Sequence, residues 1–421
     1  MRKPTVLILS MVVLALAGCG QRSTSKASGR MAVPELERGL DDIALDFSWD
    51  LILPAALHEA WIDDQVTDLL VVQLADRSLQ GLDATTGMTR FVTDPLPALT
   101  RMPVDVTRRI RSHADGSTYN DDRLYIICES TLLCIDAIYG QVIWRFLLPF
   151  EPSTAPYVVG QGDGLRVFIG DWNNRLQVLT YDSEANQPYV SWQYRMQGAT
   201  LSRPAGAEGL VYAGSSASSL ACFGLDREVK WRVDTHGPVL NPPVVRNRSL
   251  YVGAADNALH AFNRLSGAKL GQIYLDAPVH RSPMLFTNQP ETVFVWTEAP
   301  GPGLHAITAI ADTVPYTEAA EPRFPLEVER MQEAWFIPDV TRLVGSSSRH
   351  LYCTIGGDSE IFAIDKSTGT IDWRWDMGDT LETAPQHILS YHDPEDTVRS
   401  IYAFMPDNKL VSYRSFGTTG E

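Results

Sequence analysis

The chain is short of basic residues, of cysteine and of long apolar runs. Its 421 residues hold 35 Lys and Arg against 51 Asp and Glu, a formal charge of −16. A chain this acidic lacks the basic footprint that nucleic-acid phosphates select. Five cysteines, none adjacent to another, are too few to staple a fold of this size. After the N-terminus no apolar stretch approaches the roughly 20 residues that a membrane-spanning helix needs. The nine histidines show no His-Glu-x-x-His spacing. No Ser/His/Asp pattern or phosphate-cradling glycine loop is recognisable, so no positive signal for catalysis emerges. What is present is ordinary globular composition, 44% hydrophobic with 30 Gly and 26 Pro. That suits a few domains or one large repeat architecture.

Residues 1–19 read MRKPTVLILSMVVLALAGC. Arg2 and Lys3 form a basic start and Val6 to Leu16 a short apolar run, too short for an ordinary spanning helix. The ending Leu16-Ala17-Gly18-Cys19 resembles the bacterial lipoprotein signal. The resemblance implies cleavage after residue 18, lipid attachment at Cys19 and a firm multi-chain anchor. A plain secretory signal with a chance cysteine is the alternative. Gly20 follows the cysteine, which in the enterobacterial sorting rule favours the outer membrane. Residues 20–29, rich in Ser and Gly, predict a flexible tether, with a lead-in to residue 45.

A short pattern then recurs eight times: Leu79-Gln-Gly-Leu82, Leu132-Leu-Cys-Ile135, Leu176-Gln-Val-Leu179, Leu220-Ala-Cys-Phe223, Leu259-His-Ala-Phe262, Leu304-His-Ala-Ile307, Ile361-Phe-Ala-Ile364 and Leu410-Val-Ser-Tyr413. The mean spacing is about 47 residues, close to four strands plus loops. Each copy follows a β-branched or aromatic run such as Leu250-Tyr-Val252, separated by turn residues such as Ala255-Asp-Asn257, which makes a hairpin. Several copies continue into an Asx-x-x-x-Gly turn ending at Gly87, Gly140, Gly267 or Gly369. A strand carrying Trp144, Trp231 or Trp373 follows, with Trp192 and Trp335 in looser copies. Prolines such as Pro156 and Pro204 open each unit, where a strand tolerates them.

Four antiparallel strands repeated eight times predict an all-β, eight-bladed β-propeller. The last copy stops without its tryptophan strand. The segment around Trp49, residues 46–51, supplies the missing one and closes the ring. The domain reading is a signal peptide at 1–18, a lipidated tether and lead-in at 19–45, the propeller at 46–416 and a tail at 417–421.

The units LYVGAADNALHAFNRLSG and LYCTIGGDSEIFAIDKSTGTIDWRW resemble the PQQ-type propeller repeat family over most of residues 46–416. That family contains quinoprotein dehydrogenases and the BamB lipoproteins of the outer-membrane barrel-assembly machine. The lipoprotein signal, the eight blades and the length make the BamB branch the nearer likeness. The resemblance implies a lipid-anchored, periplasm-facing scaffold, monomeric and without cofactor, whose partners are barrel-assembly proteins. Contact with the membrane is through the anchor only. A PQQ- and Ca²⁺-dependent dehydrogenase is the alternative, and a ligand-binding propeller at the envelope a third.

A quinoprotein needs stacking groups, oxygen ligands for Ca²⁺ and a catalytic carboxylate. The vicinal cysteine pair of many such enzymes is missing here. Cys134 and Cys222 occupy the recurring small position, and whether Cys128 and Cys134 pair stays open. The tryptophan column serves blade docking better than quinone stacking. Aspartates of the glycine turns read as turn formers rather than metal ligands. In the propeller scheme the long insertions at 110–122, 181–189, 311–332 and 391–398 share one face, as a–b or c–d loops. Arg101, Arg108, Arg109 and Arg111 form a basic cluster there. The 311–332 loop is acidic with apolar residues, among them Phe324 and Leu326. The functional expectation is a docking surface for a partner protein, and the plainer alternative is solvated decoration.

Overall fold

A computed structural model describes residues 46–416, apart from 63–65, 67, 109, 113–117, 287, 315–325, 347–348, 357–359, 377–386 and 393–397. The described chain forms eight four-stranded antiparallel sheets and one small two-stranded hairpin. The first blade is Leu57–Ile62, Leu69–Leu74, Leu79–Asp83 and Thr89–Val92, paired in that order as strands a, b, c and d from the inside outwards. The next six occupy 105–147, 157–195, 205–234, 244–274, 284–338 and 340–376. The eighth takes a, b and c from His387–His392, Val398–Phe404 and Lys409–Phe416, and its outer strand from Asp46–Ile52. Trp49 lies opposite Ser412, and the Asp50 carboxylate meets Lys409 at 2.9 Å. The ring is therefore closed by its own N-terminal strand. The single described helix is a 3₁₀ turn at Gly162–Gly164.

Strands b and c are mostly apolar because both of their faces are covered. In the run Leu69-Leu70-Val71-Val72, Leu69 and Val71 pack with Leu124 and Ile126 of the second blade. Leu70 and Val72 pack with Tyr402 and Phe404 of the eighth. Alternate side chains serve alternate seams, as the two-residue period of a strand requires.

In six of the blades the small residue of the unit is explained by its cross-strand partner. Cys134, Cys222, Ala306, Ala363 and Ser412 lie opposite Trp144, Trp231, Trp335, Trp373 and Trp49. At Gly81 a Cβ would come within 2.1 Å of Phe91, the aromatic of that blade's outer strand. In these blades a small side chain leaves room for the ring above it, while the third accommodates Trp192 opposite Val178.

Each ring then reaches the next blade. Asp83, Asp136, Asn263 and Asp365 accept hydrogen bonds from the backbone N–H groups two and three residues on. This closes tight turns whose glycines have φ of +70 to +72°. Trp49 lies against Gly87, Phe91 against Gly140, Trp231 against Gly267 and Trp335 against Gly369. The indoles of Trp231 and Trp335 donate to the carbonyls of Arg264 and Lys366 at 3.0 and 3.1 Å. Where the turn glycine is missing, the ring meets an aromatic of the next blade's c strand instead: Trp144 stacks on Tyr181, and Trp192 meets Phe223 edge-on.

Candidate partner-binding face

Sheet order places the a–b and c–d connections on one face, and side chains confirm the sharing. Arg264, on the c–d turn of the fifth blade, pairs with Glu208 on the a–b turn of the fourth. Lys366, on the c–d turn of the seventh, lies buried over the Phe286 ring of the sixth at 3.8 Å. Residues 110–122 fall between strands a and b of the second blade, whereas 181–189 span the c–d connection of the third and the strand ends flanking it, 311–332 those of the sixth, and 391–398 the a–b connection of the eighth with its strand ends. All four thus open on the same face. The 110–122 insertion contains the two-stranded hairpin Ile110–Ser112 with Thr118–Asn120.

The arginines do not form one cluster. Arg101 is exposed and precedes the inner strand Asp105–Thr107 of the second blade, whereas Arg108 follows it. The two therefore sit at opposite ends of that strand, towards opposite faces. Arg108 bridges Asp68 of the first blade and Asp122 of its own, the latter at 3.1 Å. Asp68 also binds Arg90, which reaches Asp83 at 2.6 Å. Burial pushes the Asp68 carboxyl up, but hydrogen bonds from Arg90 and Arg108 outweigh it and hold the group below its ordinary value. The network ties two blades together. Arg111 lies on the inserted hairpin, and Arg109 falls outside the described residues.

In the 311–332 segment, expected as a loop, the described residues 311–314 and 326–332 are strand. The sixth blade's c strand, Gly303–Val314, runs on beyond its blade, and so does the d strand, Leu326–Pro338. They pair from Gly303↔Pro338 to Val314↔Leu326 as one long arm. The alternation Ile310-Ala-Asp-Thr-Val314 and Leu326-Glu-Val-Glu-Arg330 is a strand pattern that proline and acid content obscured. Phe324 lies outside the described residues, and Leu326 opens the outer strand of the arm.

The seat of this arm is a departure from the repeat. At the position where other blades carry a tryptophan, or in the first blade Phe91, the fifth has Gly271, opposite Ala261. A Cβ there would lie 2.5 Å from the Glu329 carbonyl oxygen and 3.2 Å from Met331 Sδ. The arm's outer strand thus passes through the space an indole fills elsewhere. Ser249 hydrogen-bonds the Glu329 carboxylate beside this crossing. Arg246 donates to Tyr251 Oη at 2.7 Å, and burial, with Glu329 adding to it, pushes the Tyr251 hydroxyl up to about 12. Sequence inspection missed Gly271; the signal available was a glycine in an otherwise aromatic column, one blade before the longest insertion.

At the root of the arm, buried His305 has Nδ1 2.7 Å from Glu333 Oε2 and Nε2 3.1 Å from Thr297 Oγ1. The residue types match a nucleophile, base and acid. Thr297, however, is 3% exposed and donates to the Gly301 carbonyl at 2.7 Å, so the set staples strands b, c and d. His260 is likewise buried against Asp256; desolvation lowers its pKa, partly countered by that carboxylate. Cys128, Cys134, Cys222 and Cys353 are buried thiols. Cys128 lies opposite Thr131 and Cys134 opposite Tyr125, so the two do not face each other.

Among the described residues, one grouping has metal-ligand types: His350, Asp365 and Asp372 in the seventh blade. Arg349 already reaches both carboxylates, at 2.7 and 3.2 Å. On the inner strands, the Asp105 carboxylate is covered by Arg203 and the Val158 N–H. The buried tryptophans of the outer strands are enclosed between blades. These donor sets do not fit the oxygen cage and stacking surfaces of a quinone with Ca²⁺.

Residues 183–315 match the family model of the outer membrane protein assembly factor BamB. BamB from Moraxella catarrhalis superimposes with a TM-score of 0.56 at 13% identity, covering 90% of this chain and 99% of that one. The quinohemoprotein alcohol dehydrogenase of Comamonas testosteroni gives 0.57 at 12%, covering 90% and 77%. The computationally designed Ika8 protein gives 0.54 at 12%, covering 87% and 99%. At such identities these likenesses establish the fold. No curated protein matches the chain.

Proposed function

From the premise that this chain is a PQQ-type propeller resembling BamB, we propose that it is a non-catalytic scaffold for assembly of outer-membrane β-barrels. In this proposal residues 1–18 are a signal peptide, Cys19 carries the lipid and residues 20–45 tether a periplasm-facing propeller to the outer membrane. The protein acts as a monomer through protein contacts. The observation that carries the reading is the BamB family match over 183–315, which takes in the outer strand of the third blade, the fourth and fifth blades, and the first three strands of the sixth, the last of them the inner strand of the arm. Concentration of the insertions on one face agrees with it, since loops on a rigid frame are where such scaffolds bind.

The test is crosslinking and co-purification from detergent-solubilised native membranes, with mass spectrometry of the captured proteins. Barrel-assembly components crosslinked through 311–332 or the Arg108 region support the scaffold. Recovery of the propeller alone, together with stoichiometric quinone and Ca²⁺ binding, would replace it with the dehydrogenase reading.

A further inference from the structure

Among the described residues, the arm of the sixth blade leaves one strand edge open. Strand b of that blade pairs with c only as far as Thr292↔Thr308, and the Ala309 N–H then donates to the Glu291 carbonyl at 2.7 Å. Backbone direction alternates along a strand. The N–H and C=O groups of Ala311 and Thr313 therefore point the same way as those of Ala309, away from the arm's outer strand. No described strand lies beyond Glu291 to meet them. The groups of Ile310, Asp312 and Val314 are directed into the arm, opposite Arg330, Val328 and Leu326.

The side of the arm away from Gly271 carries Ile310, 45% exposed, and Val328, with Asp312 and Arg330 joined at 2.8 Å. The charge is one-sided: residues 311–333 hold six acids, Asp312, Glu318, Glu321, Glu327, Glu329 and Glu333, against Arg323 and Arg330. Antiparallel pairing with a second copy about Asp312 would set that carboxylate against its twin, which like-charge pairs disfavour. A basic strand suffers no such penalty.

We propose that the open edge at 309–314 takes up a basic, extended segment of a partner protein by strand addition. Backbone bonds to Ala311 and Thr313 supply affinity, and the acidic arm selects lysine- or arginine-bearing strands. Gly271 is the positioning residue that lets the arm lie where this edge is presented. The inference rests on the scaffold reading and names its mode of contact.

The probe is a short synthetic peptide alternating lysine with valine, offered to the full chain in detergent. Binding is followed by fluorescence anisotropy and by amide hydrogen exchange. The expected result is slowed exchange confined to 309–314 and binding that weakens with salt. Methylating alternate amides of the peptide should weaken binding by about tenfold or more, each factor of ten being about 1.4 kcal/mol. Ala311→Pro should do the same, because it removes an outward N–H that the arm does not use. Equal binding of a glutamate–valine peptide, no loss on methylation, or protection away from 309–314 would overturn the proposal. Crosslinked assembly proteins that persist in Ala311→Pro sink the strand-addition mode and leave the scaffold standing. Peptide binding as described without any assembly protein recovered does the reverse.

Discussion

The seam between the fourth and fifth blades offers a measurable test of how the ring is locked. Gly267 has φ +72°, and a Cβ there would lie 2.7 Å from Trp231 Cδ2 and 2.9 Å from Cγ and Cε3. Gly267→Ala therefore pays twice. A left-handed backbone costs alanine ~1 kcal/mol. Forcing a methyl against a packed indole, whose Nε1–H is fixed on the Arg264 carbonyl, adds ~2 kcal/mol. Gly162 is the control: its φ is +55° and nothing lies within 4 Å of its Cβ position. Gly162→Ala pays only the backbone term. Equilibrium urea unfolding should separate the two variants by ~2 kcal/mol, a factor of about 30 in the unfolding constant. Trp231→Ala alone should cost ~4 kcal/mol. Adding Gly267→Ala to it should cost only the backbone ~1 kcal/mol, so the pair falls short of additivity by ~2 kcal/mol. Equal losses for Gly267→Ala and Gly162→Ala, or strict additivity of the double variant, would refute the docking argument.

Asp68 has its folded-state pKa held below the ordinary 3.8 by Arg90 and Arg108. Its stabilisation is complete above about pH 4 and is lost as pH falls through the folded value, so acid unfolding of Asp68→Asn should show a shallower acid limb. His260 has a lowered pKa through burial; stability should therefore fall as pH drops below its ordinary 6.5, and His260→Gln should blunt that slope in thermal melts. Burial raises the thiols of Cys128 to about 11 and Cys222 to about 12, and raises Cys353 as well. Iodoacetamide at pH 8 should label none of them in the folded protein and all three in denaturant, read by peptide mass spectrometry. Trp49→Ala removes the indole of the closing strand, buried against Gly87. It should cost ~4 kcal/mol and raise hydrogen exchange in Lys409–Phe416 before other blades.

Strands, turns and repeat number were legible because each depends on neighbours in sequence. An Asx side chain caps its own turn two residues on, and a β-branched run is a strand wherever it lies. The small residues opposite tryptophans were visible as a column, and the register across a short hairpin gives their reason. Closure by the segment at Trp49 was also readable, since the last unit lacks what the first segment has. The arm was misjudged at 311–332 because its proline-rich, acidic middle hides two alternating flanks.

The amino-acid order alone determined the eight units, the four-stranded blade and the order of strands within it, through a period of two and local hydrogen bonds. Only the tertiary structure decided which residues meet across a seam. Arg108 finds Asp68 forty positions away, while Arg101, seven positions before it, lies at the other end of the same strand. Gly271 exists for a strand 58 residues later in the chain, at Glu329. Such contacts follow from the rotation of one blade against the next, which packs distant side chains together and leaves no periodic trace in the sequence.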